Sequence, residues 1–117
     1  MSNKESKVQK KIMDVIRDRG GYVSKNPQSI YTERGKPDLT ACIPVTVGRL
    51  RKMYPDDKVV GLYVGLECKQ KNLIDDTSLG QEVVGRQIKK AGGIFLPIDD
   101  PMIMLALIDK FQEVKNG

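Results

Sequence analysis

Residues 59–69 read VVGLYVGLECK, and this stretch decides the fold. Val59, Val60, Leu62, Val64 and Leu66 form a near-continuous apolar run. Such a run predicts a strand covered on both faces, as in a sheet with helices above and below. The pattern then breaks. Glu67 and Lys69 follow, separated only by Cys68, before the run has cleared a core. Alternate strand side chains share a face, so two opposite charges emerge together at the strand's end.

On the C-terminal side, Ser78 and Gln81 have capping-box spacing, which predicts a helix over 79–91 stopped by Gly92 and Gly93. IFLPI (94–98) is a further strand. Asp99 or Asp100 then caps a last helix, with Pro101 in its first turn and Met104, Leu105, Ile108 and Phe111 facing inward. On the N-terminal side, residues 4–19 predict a helix with an inward stripe of Val8, Ile12, Val15 and Ile16. Glu5 shares that stripe and Gln9 edges it. GYVSKN (21–26) and DLTACIPV (38–45) read as strands. PQSIYTERGKP (27–37) reads as a loop in which Ile30 and Tyr31 suggest pairing, and 46–58 reads either as a helical turn or as an exposed excursion. The order αβββαβα predicts one α/β domain over 1–117, with a small mixed central sheet flanked by helices.

Composition narrows the chemistry. The 117 residues carry a formal charge of +5 and no histidine. That absence removes His-based triads, His general bases and most zinc sites. Carboxylates, lysines and hydroxyls remain, with room for a hard metal ion. Cys42 and Cys68 lie in apolar segments and read as reduced core thiols. No apolar run approaches the length needed to cross a bilayer, and the first residues are too polar for a signal peptide. The expectation is a cytoplasmic protein. The basic residues of 4–11, Lys71, Arg86, Lys89 and Lys90 suit phosphate contacts collectively, although each alone is ordinary solvated surface. Tyr31, Tyr54 and Tyr63 are too few for a base-stacking platform, and Tyr63 reads as core.

Asp38 opens its strand directly after Pro37, whose fixed φ and missing N–H suit a strand start. If that strand runs antiparallel beside 59–69, Asp38 and Glu67 stand together with Lys69 close by. Two carboxylates at that range repel, and a divalent cation relieves the repulsion. Oxygen donors of this kind suit Mg²⁺ or Mn²⁺, as in phosphodiester cleavage. The plainer alternative is a local Glu67–Lys69 ion pair with Asp38 as a turn residue.

The linked set GKPD (35–38), ECK (67–69), Glu5 near ESKVQ, and Gln81 opening the next helix resembles the PD-(D/E)XK nuclease signature. It is most similar to the virus-type replication-repair nuclease domain, VRR-NUC, and the similarity runs on through KKAGGIFLPI (89–98). The resemblance implies a restriction-endonuclease-like core and a metal-dependent DNA endonuclease, acting on duplex or branched DNA such as a Holliday junction. Asp38 and Glu67 would be metal ligands, joined by the Cys68 backbone carbonyl and by Glu5, directly or through water. Lys69 would be the catalytic lysine. Gln81 would position water, phosphate or Lys69, against an alternative role as a helix-cap partner. A homodimer is expected, because one small subunit engages one scissile phosphate. The 44–61 connection is longer than a minimal link and reads as a substrate-binding or dimer-forming elaboration. The competing function is a catalytically silent nucleic-acid-binding module with the same fold.

Overall fold

Side-chain caps place three of the helix starts. In the computed structural model, which describes residues 3–28, 34–70 and 78–112, Ser78 caps α3 (Leu79–Lys90) and Gln81 answers it, completing the capping box. Asp100 accepts from the Met102 N–H and opens α4 (Pro101–Phe111), with Pro101 in the first turn. Thr46 accepts from the Arg49 N–H and opens α2 (Val47–Met53), so the 46–58 segment is a short helix. The remaining elements are α1 (Asn3–Asp18), β1 (Tyr22–Lys25), β2 (Leu39–Cys42), β3 (Val64–Cys68) and β4 (Ile94–Ile98). No helix among the described residues is long and apolar enough to cross a membrane.

The chain is mixed α/β, with four helices and two small sheets among the described residues. β1 pairs antiparallel with β2, Tyr22 opposite Cys42 and Lys25 opposite Leu39. β3 pairs parallel with β4, Val64 opposite Ile94 and Cys68 opposite Ile98. A parallel pair needs a crossover, and α3 supplies it. Its Gly85 sits so close to Phe95 that a Cβ there would lie 2.5 Å from the ring, and a Cβ on Gly65 would lie 3.0 Å from Ile88. Gly65 and Phe95 therefore face α3, and by alternation so does Glu67. Val64 and Ile94 line a cleft with Met104, Leu107 and Ile108 of α4 on the other face.

The two sheets meet at one end. The Cys42 thiol donates to the Ala91 carbonyl at 3.5 Å, and the Tyr22 and Tyr63 rings stack edge to face with centroids 6.0 Å apart. The buried apolar residues among those described are Val23, Cys42, Ile88, Ala91 and, at the far end of β4, Ile98.

Several expectations are corrected. β3 is not covered on both faces: Leu66 is 43% exposed, and 59–63 carries no regular structure. The inward face of α1 runs through Gln9, Met13 and Ile16, while Val8, Ile12 and Val15 are exposed. One helical stripe cannot cover both a four-residue strand pair and its flank, so part of it stays open. In α4 the better-covered residues are Met104 and Leu107, and Leu105 is exposed. Cys42 is a buried free thiol, but Cys68 is exposed. Ile30, Tyr31 and Lys71 lie outside the described residues.

Candidate active site

At the C-terminal tip of β3 the expected pair is assembled around a third residue. Lys69 Nζ lies 4.0 Å from the Glu67 carboxylate, with the two side chains 14% and 32% exposed. Gln81, in the first turn of α3, joins them. Its Oε1 accepts from Lys69 Nζ at 2.9 Å and from the Ser78 N–H at 3.1 Å, while its Nε2 donates to Glu67 Oε1. An amide oxygen has two lone pairs, and both are used. Turning the amide over would set its NH₂ against two donors, so the network admits one orientation. The two readings of Gln81 are one structure: the capping partner is also the bridge between Glu67 and Lys69. The α3 N-terminus adds a partial positive charge beside the Glu67 carboxylate.

The Lys69 backbone N–H donates to the Ile98 carbonyl at 2.8 Å, extending the β3–β4 ladder past Cys68. The Lys69 side chain thus stands on a tethered backbone.

Asp38 and Glu5 form a second grouping. Both line an open cleft of about 550 Å³ with Val8, Ile12 and Leu39, and both line its neighbour of about 710 Å³ with Lys25 and Asn26. Gly35 has φ +80°, a left-handed conformation that turns the chain into Pro37 and Asp38 at no steric cost. Asn26 then holds the motif. Its Nδ2 donates to the Pro37 carbonyl at 2.8 Å and to Thr40 Oγ1 at 2.7 Å, and its backbone N–H donates to the Asp38 carbonyl at 2.9 Å. Sequence reasoning missed Asn26. The available signal was an amide just past a strand end, where side chain–backbone hydrogen bonds are favoured.

The two groupings are not gathered into one ligand set. Among the described residues no three His, Cys, Asp or Glu side chains come close enough to hold an ion, so Glu5, Asp38 and Glu67 do not converge. The expected antiparallel pairing of the Asp38 strand with the Glu67 strand is likewise absent among the described ladders, where β2 pairs with β1 and β3 pairs with β4. Cys68 enters only through the β3 backbone, and its side chain is exposed. In donor chemistry, the Glu5–Asp38 cleft still fits a hard dication: Mg²⁺ commonly takes one or two carboxylates and fills the rest of its shell with water and phosphate oxygens.

Set against models of protein families, curated proteins and solved structures, the chain matches none of them. The functional reading therefore rests on the residues themselves.

Proposed function

We propose that the chain is a Mg²⁺- or Mn²⁺-dependent endodeoxyribonuclease of the PD-(D/E)XK type, with a VRR-NUC-like, restriction-endonuclease-like core. The observation that carries this reading is the Glu67–Gln81–Lys69 network, which holds an acid and an ammonium on one face of a strand tip. A purely structural ion pair has no need of a third side chain that fixes both partners.

Lys69 has three N–H donors, and Gln81 takes one. The others are available to a non-bridging phosphate oxygen or to an attacking water, stabilising charge that grows on the phosphoryl group. Glu67 and the Cys68 carbonyl would supply hard oxygen donors at the β3 tip, and Asp38 and Glu5 would supply them in their separate cleft. A dication held there would acidify a bound water and offset charge at phosphorus. Asn26 keeps the Asp38 backbone in place, and Gln81 keeps Lys69 aimed.

A second reading is a catalytically silent module that binds nucleic acid through the same fold. The separation of Glu5 and Asp38 from Glu67 favours it. Supercoiled plasmid and four-way junctions, incubated with EDTA, Mg²⁺ or Mn²⁺, separate the two. Metal-dependent nicking by the natural protein, lost in Lys69→Ala and Asp38→Asn, supports the nuclease. Tight binding with no cleavage in any metal supports the silent module.

Symmetric cutting of two strands calls for two copies. α4 suits such an interface. Only Asp109 and Lys110 interrupt its apolar sequence, and Met102, Leu105 and Phe111 are 64%, 48% and 53% exposed. With Val59, Val60 and Leu62 alongside, the open apolar side chains are on the order of the 800 Å² per partner that a standard interface buries. Sedimentation at micromolar concentration tests the dimer, and a monomer with and without junction DNA would count against it.

A further inference from the structure

The end of the molecule away from Glu67 and Lys69 carries a second concentration of basic residues. Arg17 in the last turn of α1 and Lys90 in the last turn of α3 line one cleft of about 410 Å³, together with Gln87, Tyr22 and the backbone at Gly20 and Gly21. No carboxylate among the described residues lines it. The α2 arm is rooted beside this cleft: a Cβ on Gly20 would lie 3.9 Å from the Pro44 ring, and one on Gly21 would lie 2.9 Å from the Cys42 carbonyl. α2 is amphipathic. Val47, Leu50 and Tyr54 line a groove with Pro55 and Val60, while Arg49 and Lys52, three apart, lie on the opposite side of the helix.

Basic residues at helix C-termini ordinarily serve the last-turn carbonyls. Here backbone N–H groups already do. The Ile16 and Arg17 carbonyls accept from Gly21 and Gly20, and the Gln87, Ile88 and Lys89 carbonyls accept from Ala91, Gly93 and Gly92. No carboxylate among the described residues forms an ion pair with Arg49, Arg51 or Lys52, and the one acid lining the α2 groove, Asp56, lies on the side away from Arg49 and Lys52. A Cβ on Gly48 would meet nothing within 4 Å, so a ligand can approach the arm's backbone closely.

We infer that this pole is a phosphate-backbone grip for duplex DNA, separate from the cleavage centre and rigidly spaced from it by α3. The inference rests on the nucleic-acid reading above. Gln81 touches Glu67 and Lys69, and Lys90 lies nine residues along the same helix. At 1.5 Å per residue the spacing is about 14 Å. That is about four nucleotides at 3.4 Å per step on one strand. The pole therefore holds the flank of the substrate, and it contributes affinity and register without base readout.

Fluorescence anisotropy on a 20-base-pair duplex in EDTA, across a salt series, tests this with Arg17→Gln/Arg49→Gln/Lys52→Gln/Lys90→Gln. A thermal melt confirms folding, and Lys110→Gln on α4 serves as a single-charge control away from the pole. The expected result is at least a tenfold weaker Kd at 100 mM salt and a log–log salt slope shallower by about 3–4, since each lost phosphate contact removes nearly one. Lys110→Gln should stay near the natural protein. A cleavage assay in Mn²⁺ should show KM rising and kcat holding. An unchanged Kd and slope in a folded quadruple variant that still cuts would overturn the grip and leave the nuclease reading intact. Loss of slope in a protein that never cuts would keep the grip and overturn the nuclease.

Discussion

The β3–α3–β4 unit and the α1–β1–β2 unit each carry half of the candidate site, and they hold it differently. In the first, Gly65, Gly85, Ile88 and Phe95 are in close contact, and Gln81 bridges the charged pair Glu67 and Lys69 through hydrogen bonds to both. In the second, Asp38 stands on a backbone fixed by Asn26, but Glu5 and Asp38 face an open cleft whose apolar wall, Val8 and Ile12, is half exposed or more nearly so. The difference teaches that positioning and ligand supply are separate tasks here. Fixed dipoles must be preorganised before they help a reaction. Carboxylates for a hydrated dication can remain open, because water completes the shell.

The largest expected effect lies at the ammonium itself. Lys69→Ala should lower metal-dependent cleavage by roughly 10²–10⁴-fold while leaving DNA affinity in EDTA nearly unchanged. Full cleavage in that variant would break the assignment of the tight half as the reacting one. Packing comes next. Gly85→Ala places a methyl group in the Phe95 ring and should destabilise the fold by about 1–3 kcal/mol in urea titrations. Gly48→Ala, in the open arm, should instead gain roughly 0.5–1 kcal/mol, because only helix propensity changes there.

Gln81 sharpens the contrast within the tight half. Gln81→Ala should lose both the cap and the bridge, with a cost of about 1 kcal/mol and slower cleavage. Gln81→Glu can retain the capping box yet sets a like charge against Glu67, so stability should hold better than activity. Equal losses in stability and activity for the two variants would mean that the bridge has no role beyond the cap.

The smallest effect concerns alkaline pH. Burial pushes the Cys42 thiol above its ordinary 9.0, and burial, helped by the neighbouring Tyr22 hydroxyl, pushes Tyr63 above 10.0. The unfolded chain releases these protons first. Their contribution to stability is complete below about pH 9 and is lost as pH rises through the raised values. A shallow fall in Tm above pH 9 should follow, and Tyr63→Phe should reduce it. In the native protein a thiol reagent should label exposed Cys68 well before buried Cys42.

Much of this was legible in the chain. β4 spans the predicted residues, α3 begins where Ser78 and Gln81 say it should, and Asp100 caps α4. These are local decisions, made by hydrogen bonds between residues a few positions apart. The shared face of Glu67 and Lys69 was legible for the same reason, since strand alternation needs no partner. Burial was not. The run 59–69 reads as an interior strand, yet Leu62 and Leu66 are exposed, because burial depends on what the rest of the chain brings to that face. The Val8–Ile12 stripe misled similarly: a helix has several candidate apolar faces, and the docked one was chosen by β1.

Sequence alone determined the chemistry on offer: no imidazole, carboxylates at strand ends, a lysine two residues from a glutamate, and a glycine where the chain must turn with positive φ. Tertiary structure decided which of those groups meet. It brought Gln81 from the next helix onto Glu67 and Lys69, set Asn26 against Pro37, and gave β2 to β1. The physical reason is range. Caps, turns and alternation are set by neighbours along the chain, whereas strand partnership and site convergence depend on long-range packing that no local pattern encodes.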